Sequence, residues 1–408
     1  MDRRPAAGCS AVTVGETGRP ILLTVFEPSG DDLAASVVSA LRELRPGAPI
    51  FAWAGARTAR AGAAIVERTG DDAVVGLPGP AKIIEHVRLN RRVARWMDER
   101  RPALHVAVDS PAANFPICKE AKRRRIAVVH LAAPQLWAWA PWRIRKLRRL
   151  TDHVLCLLPF EEDWFRSRGV PATFIGHPLF AEPTDLDCGA GVSTASESAG
   201  IERMRRPAAP FRLLVAPGSR PAEIRRHMPV ILDALARVGV GGRAVTARFA
   251  VQDEAAAALV KDLAARRGGL PAGAEILAGA GAIDRVARWA DAALTKSGTV
   301  TLRLTRARLP MVVFYRTLTW GYLLVGRWLL TNPHRAMPNL IAGRRIVEEF
   351  VPLVGSAAPV AAALGRLIDD PAVRDRQRAD LDAVARLFEG RDAARAAAGI
   401  LLDLADRG

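Results

Sequence analysis

Cysteine is scarce in this chain of 408 residues, and none of Cys9, Cys118, Cys156 and Cys188 forms a C-x-x-C pair or has a His at metal-ligand spacing. That pattern excludes a structural zinc site and points to a reducing compartment. Long hydrophobic runs are missing too: no stretch of about 18 uncharged apolar residues occurs, which argues against a transmembrane helix. Residues 1–20 carry Arg3 and Arg4 but no apolar stretch, so they read as a disordered leader on a cytoplasmic protein and not as a signal peptide. Absent as well are G-x-G-x-x-G, G-x-x-x-x-G-K-[ST] and H-E-x-x-H, which counts against dehydrogenases, P-loop enzymes and zincins. No repeat of solenoid period appears.

What is present is a globular composition, half hydrophobic and a quarter charged. At about 150 residues per domain the length suits two domains. The net charge of +17 points to anionic partners: phosphates, nucleic acid or an acidic membrane surface. From Ile21 short apolar runs alternate with amphipathic stretches, the pattern of an α/β chain with parallel strands. Strands are expected at 21–26, 49–55, 104–110, 126–132, 153–159 and 172–178. Helices are expected at 28–44, with Ser29 and Asp32 spaced as a capping box, and at 81–100. Residues 183–210 lose the periodicity and fill with Ser, Gly, Thr and Pro, as a linker does. The alternation restarts with strands at 211–216, 243–251, 274–279, 291–296 and 311–315, and Ala-rich helices close the chain over 357–408. The expectation is two Rossmann-like domains, 21–182 and 211–356, with the carboxyl ends of their strands around one cleft.

The informative residues stand just after strands. Pro217-Gly218-Ser219-Arg220 leads into a helix whose N-terminus, with the Arg220 fork, suits a diphosphate. Ser297-Gly298-Thr299, after Lys296, is a second such turn; both sequences also suit plain tight turns. In Phe26-Glu27-Pro28-Ser29-Gly30-Asp31, Asp31 could orient a sugar hydroxyl or simply complement a helix dipole. In Val108-Asp109-Ser110-Pro111, Asp109 could act as a general base or cap a turn. His177, in Ile175-Gly176-His177-Pro178, has no nucleophile paired with it and suits a structural role. Asp185-x-Asp187 and Asp380-x-Asp382 resemble metal-binding pairs but fall in the linker and on a helix, so no metal and no cofactor are expected. The segments 136–149 and 318–330 combine Trp137, Trp139, Trp142, Trp320, Tyr322 and Trp328 with Arg and Lys, as a membrane-touching surface does. No nucleic-acid-binding module is readable.

In their order these motifs resemble one family, the lipid A disaccharide synthases. The resemblance runs from about Ile21 to Pro352 over PSGDDLAA, GLPGPAKIIEHVRLNRRV, VDSPAAN, APQLWAWAPWRIRKLRRLTDHVLCLLPFE, FIGHPL, PGSRPAEI, KSGTVTL, PMVVFYR and PNLIAGRRIV. It implies a GT-B glycosyltransferase, inverting and metal-independent, peripheral to the inner face of the inner membrane. It would join UDP-2,3-diacylglucosamine to 2,3-diacylglucosamine 1-phosphate. The carry-over makes Asp109, Glu27 and Asp31 catalytic candidates. It puts UDP at Gly218, Ser219, Arg220, Ser297, Gly298 and Thr299, and the acceptor or membrane side at Ser29, Gly30, His177, Asn339, Trp320 and Trp328. Three positions depart from the family pattern: Phe26 replaces a Gly, Ala112-Ala113-Asn114 replaces Asp-Phe-Asn, and Arg303 replaces a Glu suited to hold ribose. A paralogue using another UDP sugar, a non-catalytic lipid- or nucleotide-binding protein, and a homo-oligomer stay open.

Overall fold

The computed structural model describes residues 18–69, 80–138, 140–181, 210–239, 244–317 and 332–407. The chain divides into two compact units. The first takes in Met1–Trp137, Pro141–Pro178 and Arg391–Gly408, and the second Ala138–Ala140 and Leu179–Gly390.

In the first unit seven strands form one parallel sheet: β1 (Ile21–Val25), β2 (Ile50–Ala54), β3 (Ala64–Arg68), β4 (Leu104–Val108), β5 (Ala127–Leu131), β6 (His153–Cys156) and β7 (Ala172–Phe174). Their order is β3-β2-β1-β4-β5-β6-β7, with Ile21 in register with Ile50 on one side and Leu104 on the other. Strands covered on both faces read as unbroken apolar runs, and β1 and β4 are buried at every position. On one face lies the helix Pro28–Leu44, whose Leu33, Val37, Val38 and Leu41 recur at helical spacing and are buried. They share a core with Ala397, Ala398 and Leu401 of the last helix, Ala393–Arg407. Full burial of each such Leu contributes about 2 kcal/mol. The expected capping box does not form: Glu27 precedes the helix in extended backbone without a side-chain cap, and Pro28 opens it. Proline suits that position because its missing N–H would have had no helical partner.

The second unit repeats the plan with six parallel strands: β8 (Phe211–Ala216), β9 (Val245–Ala250), β10 (Glu275–Leu277), β11 (Ala292–Lys296), β12 (Met311–Arg316) and β13 (Glu348–Leu353). The order is β10-β9-β8-β11-β12-β13. Phe211, Phe249 and Phe314 are buried in one core with Ile224, Met228 and Ile231 of the helix Pro221–Gly239 and with Val360 and Leu364 of the helix Ala358–Asp369.

Two edge strands, β3 and β13, escape the sequence reading. The residues after 357 also do not stay together: Ala358–Asp369 and Pro371–Arg386 belong to the second unit, Ala393–Arg407 to the first. Residues 1–17, 182–209 and 318–331 lie outside the described residues, and with them most of the expected leader and linker, the segment 318–330 and its Trp320 and Trp328. Among the described residues no helix is long and apolar enough to cross a membrane.

Candidate active site

A doubly wound sheet has one point where the strand order reverses, and ligands bind beyond the carboxyl ends of the strands there. The reversal lies between β1 and β4 in the first sheet and between β8 and β11 in the second. The four loops singled out from the sequence follow these four strands: Phe26–Asp31 after β1, Asp109–Ser110 after β4, Pro217–Arg220 after β8 and Ser297–Thr299 after β11.

In the first unit the two loops are tied by one hydrogen bond, from Ser110 Oγ to Glu27 Oε1 at 2.7 Å. Asp109 and Ser110 both adopt left-handed backbone, with φ of +45° and +37°. Each costs about 1 kcal/mol in a residue with a side chain, and strain of this kind is retained where it aims a functional group. Burial pushes the Asp109 carboxyl above its ordinary range; the Ser110 N–H opposes this, and the charge of Glu27 adds to the rise. A carboxylate with raised proton affinity at a strand end is equipped to accept a proton.

Asp31, a catalytic candidate from the sequence, is engaged in local structure. It is 6% exposed, and its Oδ1 accepts from Gly55 N at 2.9 Å and Thr58 Oγ1 at 2.6 Å while Oδ2 accepts from Arg57 N at 3.0 Å. Both oxygens are spent on the start of the helix Ala56–Arg60. Gly55 is required there because a Cβ would lie 2.5 Å from Asp31 Oδ2. Ser29 is exposed and Gly30 buried in the first helical turn; His177 is half-buried beyond β7.

In the second unit the loops are tied by an ion pair. Lys296 Nζ lies 3.2 Å from Glu223 Oε1, both side chains being mostly buried. Glu223 Oε2 accepts from Ser219 N at 3.3 Å. Burial works to raise the Glu223 carboxyl, but Lys296 and the N–H groups of Ser219 and Arg220 outweigh it and hold it below the usual range. Gly218, at φ +137°, lets the loop close over this carboxylate, since a Cβ would meet Glu223 Cβ at 2.8 Å. Ser219, Arg220 and Thr299 are exposed, and Ser297 Oγ donates to Arg335 O at 3.2 Å. Ser110 and Glu223 were not singled out from the sequence, although both stand inside motifs quoted for it; an acid in a first helical turn reads as ordinary dipole complementation.

Asn339 is also tied up in local structure. It is fully buried, its Oδ1 accepting from Ile346 N and Val347 N at 2.7 and 2.9 Å and its Nδ2 donating to Val347 O at 2.9 Å, so its amide clamps a turn. Arg303 donates to Asp284 Oδ2 at 3.0 Å. Among the described residues no group of three or more His, Cys, Asp or Glu could hold a metal ion.

Solved structures of similar fold include a glycotransferase of kitacinnamycin (TM-score 0.57, 16% identity, 95% of this chain and 98% of that one). Another is the UDP-GlcNAc 2-epimerase from Neisseria meningitidis bound to UDP-GlcNAc (TM-score 0.54, 10% identity, 95% and 100%). At such identity the likeness concerns the fold alone, two doubly wound α/β units of the GT-B type. Sequence relatives say more. The lipid-A-disaccharide synthase of Solibacter usitatus is 34% identical over 388 residues, 94% of this chain and 96% of that protein. That of Anaeromyxobacter dehalogenans strain 2CP-1 is 36% identical over 370 residues, 88% and 91%. A family model described as lipid-A-disaccharide synthetase matches residues 21–397, and with relatives this similar over nearly their whole length the chain belongs to the lipid-A-disaccharide synthetase family.

Proposed function

We propose that this chain transfers a 2,3-diacylglucosaminyl group from UDP to the 6-hydroxyl of 2,3-diacylglucosamine 1-phosphate, with inversion, giving the β-1,6 disaccharide 1-phosphate and UDP. The observation that carries the reading, in a chain of this family, is Asp109: a strained, half-buried carboxylate of raised proton affinity at the switch point of the first sheet. The acceptor oxygen forms a bond to C1 of the donor, the bond from C1 to the diphosphate oxygen breaks with its electron pair leaving on UDP, and the hydroxyl proton passes to Asp109. Burial raises the proton affinity of Asp109, and the charge of Glu27, held by Ser110, adds to the rise. On the second unit the exposed Arg220 fork and the N-terminus of the 19-residue helix Pro221–Gly239 receive the growing charge of the diphosphate. Purified protein incubated with both substrates should yield the disaccharide by mass spectrometry; UDP release without disaccharide, or no reaction, would remove this activity.

Both substrates combine acyl chains with phosphate, so the surface partner we infer is an anionic membrane, at the inner face of the inner membrane. Trp142 is 59% exposed and precedes the helix Ile144–Leu150, whose Arg145, Lys146, Arg148 and Arg149 are exposed. Each cation near an anionic surface contributes about 1 kcal/mol, falling with salt. The reading expects salt-sensitive sedimentation with anionic liposomes, and equal recovery with neutral ones would reject it. Trp320 and Trp328 extend the same proposal from sequence alone.

A further inference from the structure

Beneath the Asp109 turn lies a chain of polar groups that the reaction itself does not touch. Thr24 on β1, His105 on β4 and Asn114 on the helix Pro111–Arg123 are all fully buried. Asn114 Nδ2 lies 3.1 Å from Val108 O and 2.9 Å from Asp109 O, and carbonyl oxygens only accept, so the amide nitrogen donates to both. Asn114 Oδ1 therefore accepts, and its partner at 2.6 Å is the Thr24 hydroxyl, whose single proton is committed there. The 2.8 Å contact between Thr24 Oγ1 and His105 Nε2 must then have the imidazole donating. This fixes the His105 tautomer with the proton on Nε2 and leaves Nδ1 bare, in keeping with its buried position without a partner. Burial pushes His105 down to about 3, so the ring stays neutral and the direction of the chain does not reverse. Every proton points the same way: from His105 to Thr24, to Asn114, to the two carbonyls at the end of β4.

Those carbonyls sit where an extended strand becomes two consecutive left-handed residues. We infer that Asn114, oriented by Thr24 and His105, is a positioning residue that holds the strained Asp109–Ser110 turn and so aims the Asp109 carboxylate. The inference rests on the reading of Asp109 as the base. Thr24→Val keeps the shape of the side chain and removes the hydroxyl, leaving Asn114 Oδ1 without its donor and the amide held only through Nδ2. Misplacing a reacting group by about 1 Å costs up to about 100-fold in rate, so kcat of Thr24→Val is expected to fall by about 10-fold or more, with KM for both substrates within about 2-fold. Release of the turn also gives Asp109 more water, so the acid limb of the pH–rate profile should move to lower pH. Thr24→Ser, which keeps the hydroxyl, should return kcat to within about 3-fold of the parent. Because Thr24 acts through Asp109, the double variant Thr24→Val/Asp109→Asn should be no slower than Asp109→Asn alone. Where Thr24→Val does not fold, Thr24→Ala serves the same comparison. A folded hydroxyl-less variant with parental kcat and pH profile, or a loss that multiplies onto that of Asp109→Asn, overturns the positioning role. If Asp109→Asn itself turns over like the parent, it is the reading of the base that has failed.

Discussion

The two units solve the same topological problem with opposite electrostatics. Each sheet reverses its order at one point, and in each the two loops that flank that point are bound together by a glutamate. In the first unit Glu27 is held by a neutral hydroxyl and its charge helps raise a neighbouring carboxyl. In the second, Glu223 is neutralised by Lys296, lies below the usual range and leaves Arg220 exposed beside it. In the proposed reaction one arrangement would serve as a proton acceptor and the other as a place for an anion. The topology sets where chemistry can occur; the partner of one carboxylate sets which chemistry.

Breaking the first arrangement should have the larger effect. Asp109→Asn is expected to lower turnover by about 100-fold or more, the usual worth of a general base, while UDP affinity and thermal stability stay near those of the parent. Steady-state kinetics with calorimetry on the same preparation checks both halves; near-parental turnover would shift attention to Glu27. The pH dependence sharpens the point. The carboxylate is the active form, so the rate should fall as pH drops through the raised pKa of Asp109, above the range of an ordinary Asp. Glu27→Gln removes a negative neighbour, lowers that pKa and should move the acid limb to lower pH; an unmoved limb would break the proposed coupling.

Breaking the second arrangement should act on binding. Arg220→Ala is expected to weaken UDP by about 2 kcal/mol, as for a charge-assisted contact to phosphate, with calorimetry as the measurement. Lys296→Met should also weaken UDP, because it leaves Glu223 as an unbalanced negative charge. Adding Glu223→Gln should then recover part of the loss, and no recovery would show that Lys296 acts on the ligand alone. By contrast Asp31→Asn, which turns one acceptor of a buried cap into a donor, should cost about 2 kcal/mol of stability in urea with turnover of the folded fraction unchanged.

How much of this was legible follows from the same physics. The central strands announce themselves as apolar runs because both of their faces are buried. Two of the edge strands do not: β3 alternates exposed and half-buried residues, and β13 opens with Glu348 and Glu349. The helix Ala393–Arg407 reads as amphipathic, but a stripe of Ala and Leu says only that one face is covered, and nothing in it names the first unit's sheet. The candidate loops were legible as loops because strand, turn residues and helix start occur together. What separates Asp109 from Asp31 was not legible, since it lies in whether the backbone of Gly55, Arg57 and Thr58 turns its N–H groups onto the carboxylate. The surroundings of Asn339 were not legible for the same reason, its partners being main-chain groups of Ile346 and Val347.

The smallest expected effect concerns Arg303, which stands where the family resemblance places a Glu. Its guanidinium reaches Asp284 at 3.0 Å, but the two side chains are 42% and 35% exposed, so water and salt screen the pair and both lose rotamer freedom to form it. A double-mutant cycle of Arg303→Ala and Asp284→Ala in urea should give a coupling below about 1 kcal/mol. At that strength the guanidinium can turn from Asp284 to a ligand at little cost, and it does so as a donor: ribose hydroxyl oxygens would accept from Arg303 where a Glu would accept from them. Arg303→Ala would then weaken UDP more than it weakens the fold. A coupling above about 2 kcal/mol would instead make the pair a lock between the helices Ala282–Trp289 and Val300–Arg306, and would take Arg303 out of the donor site.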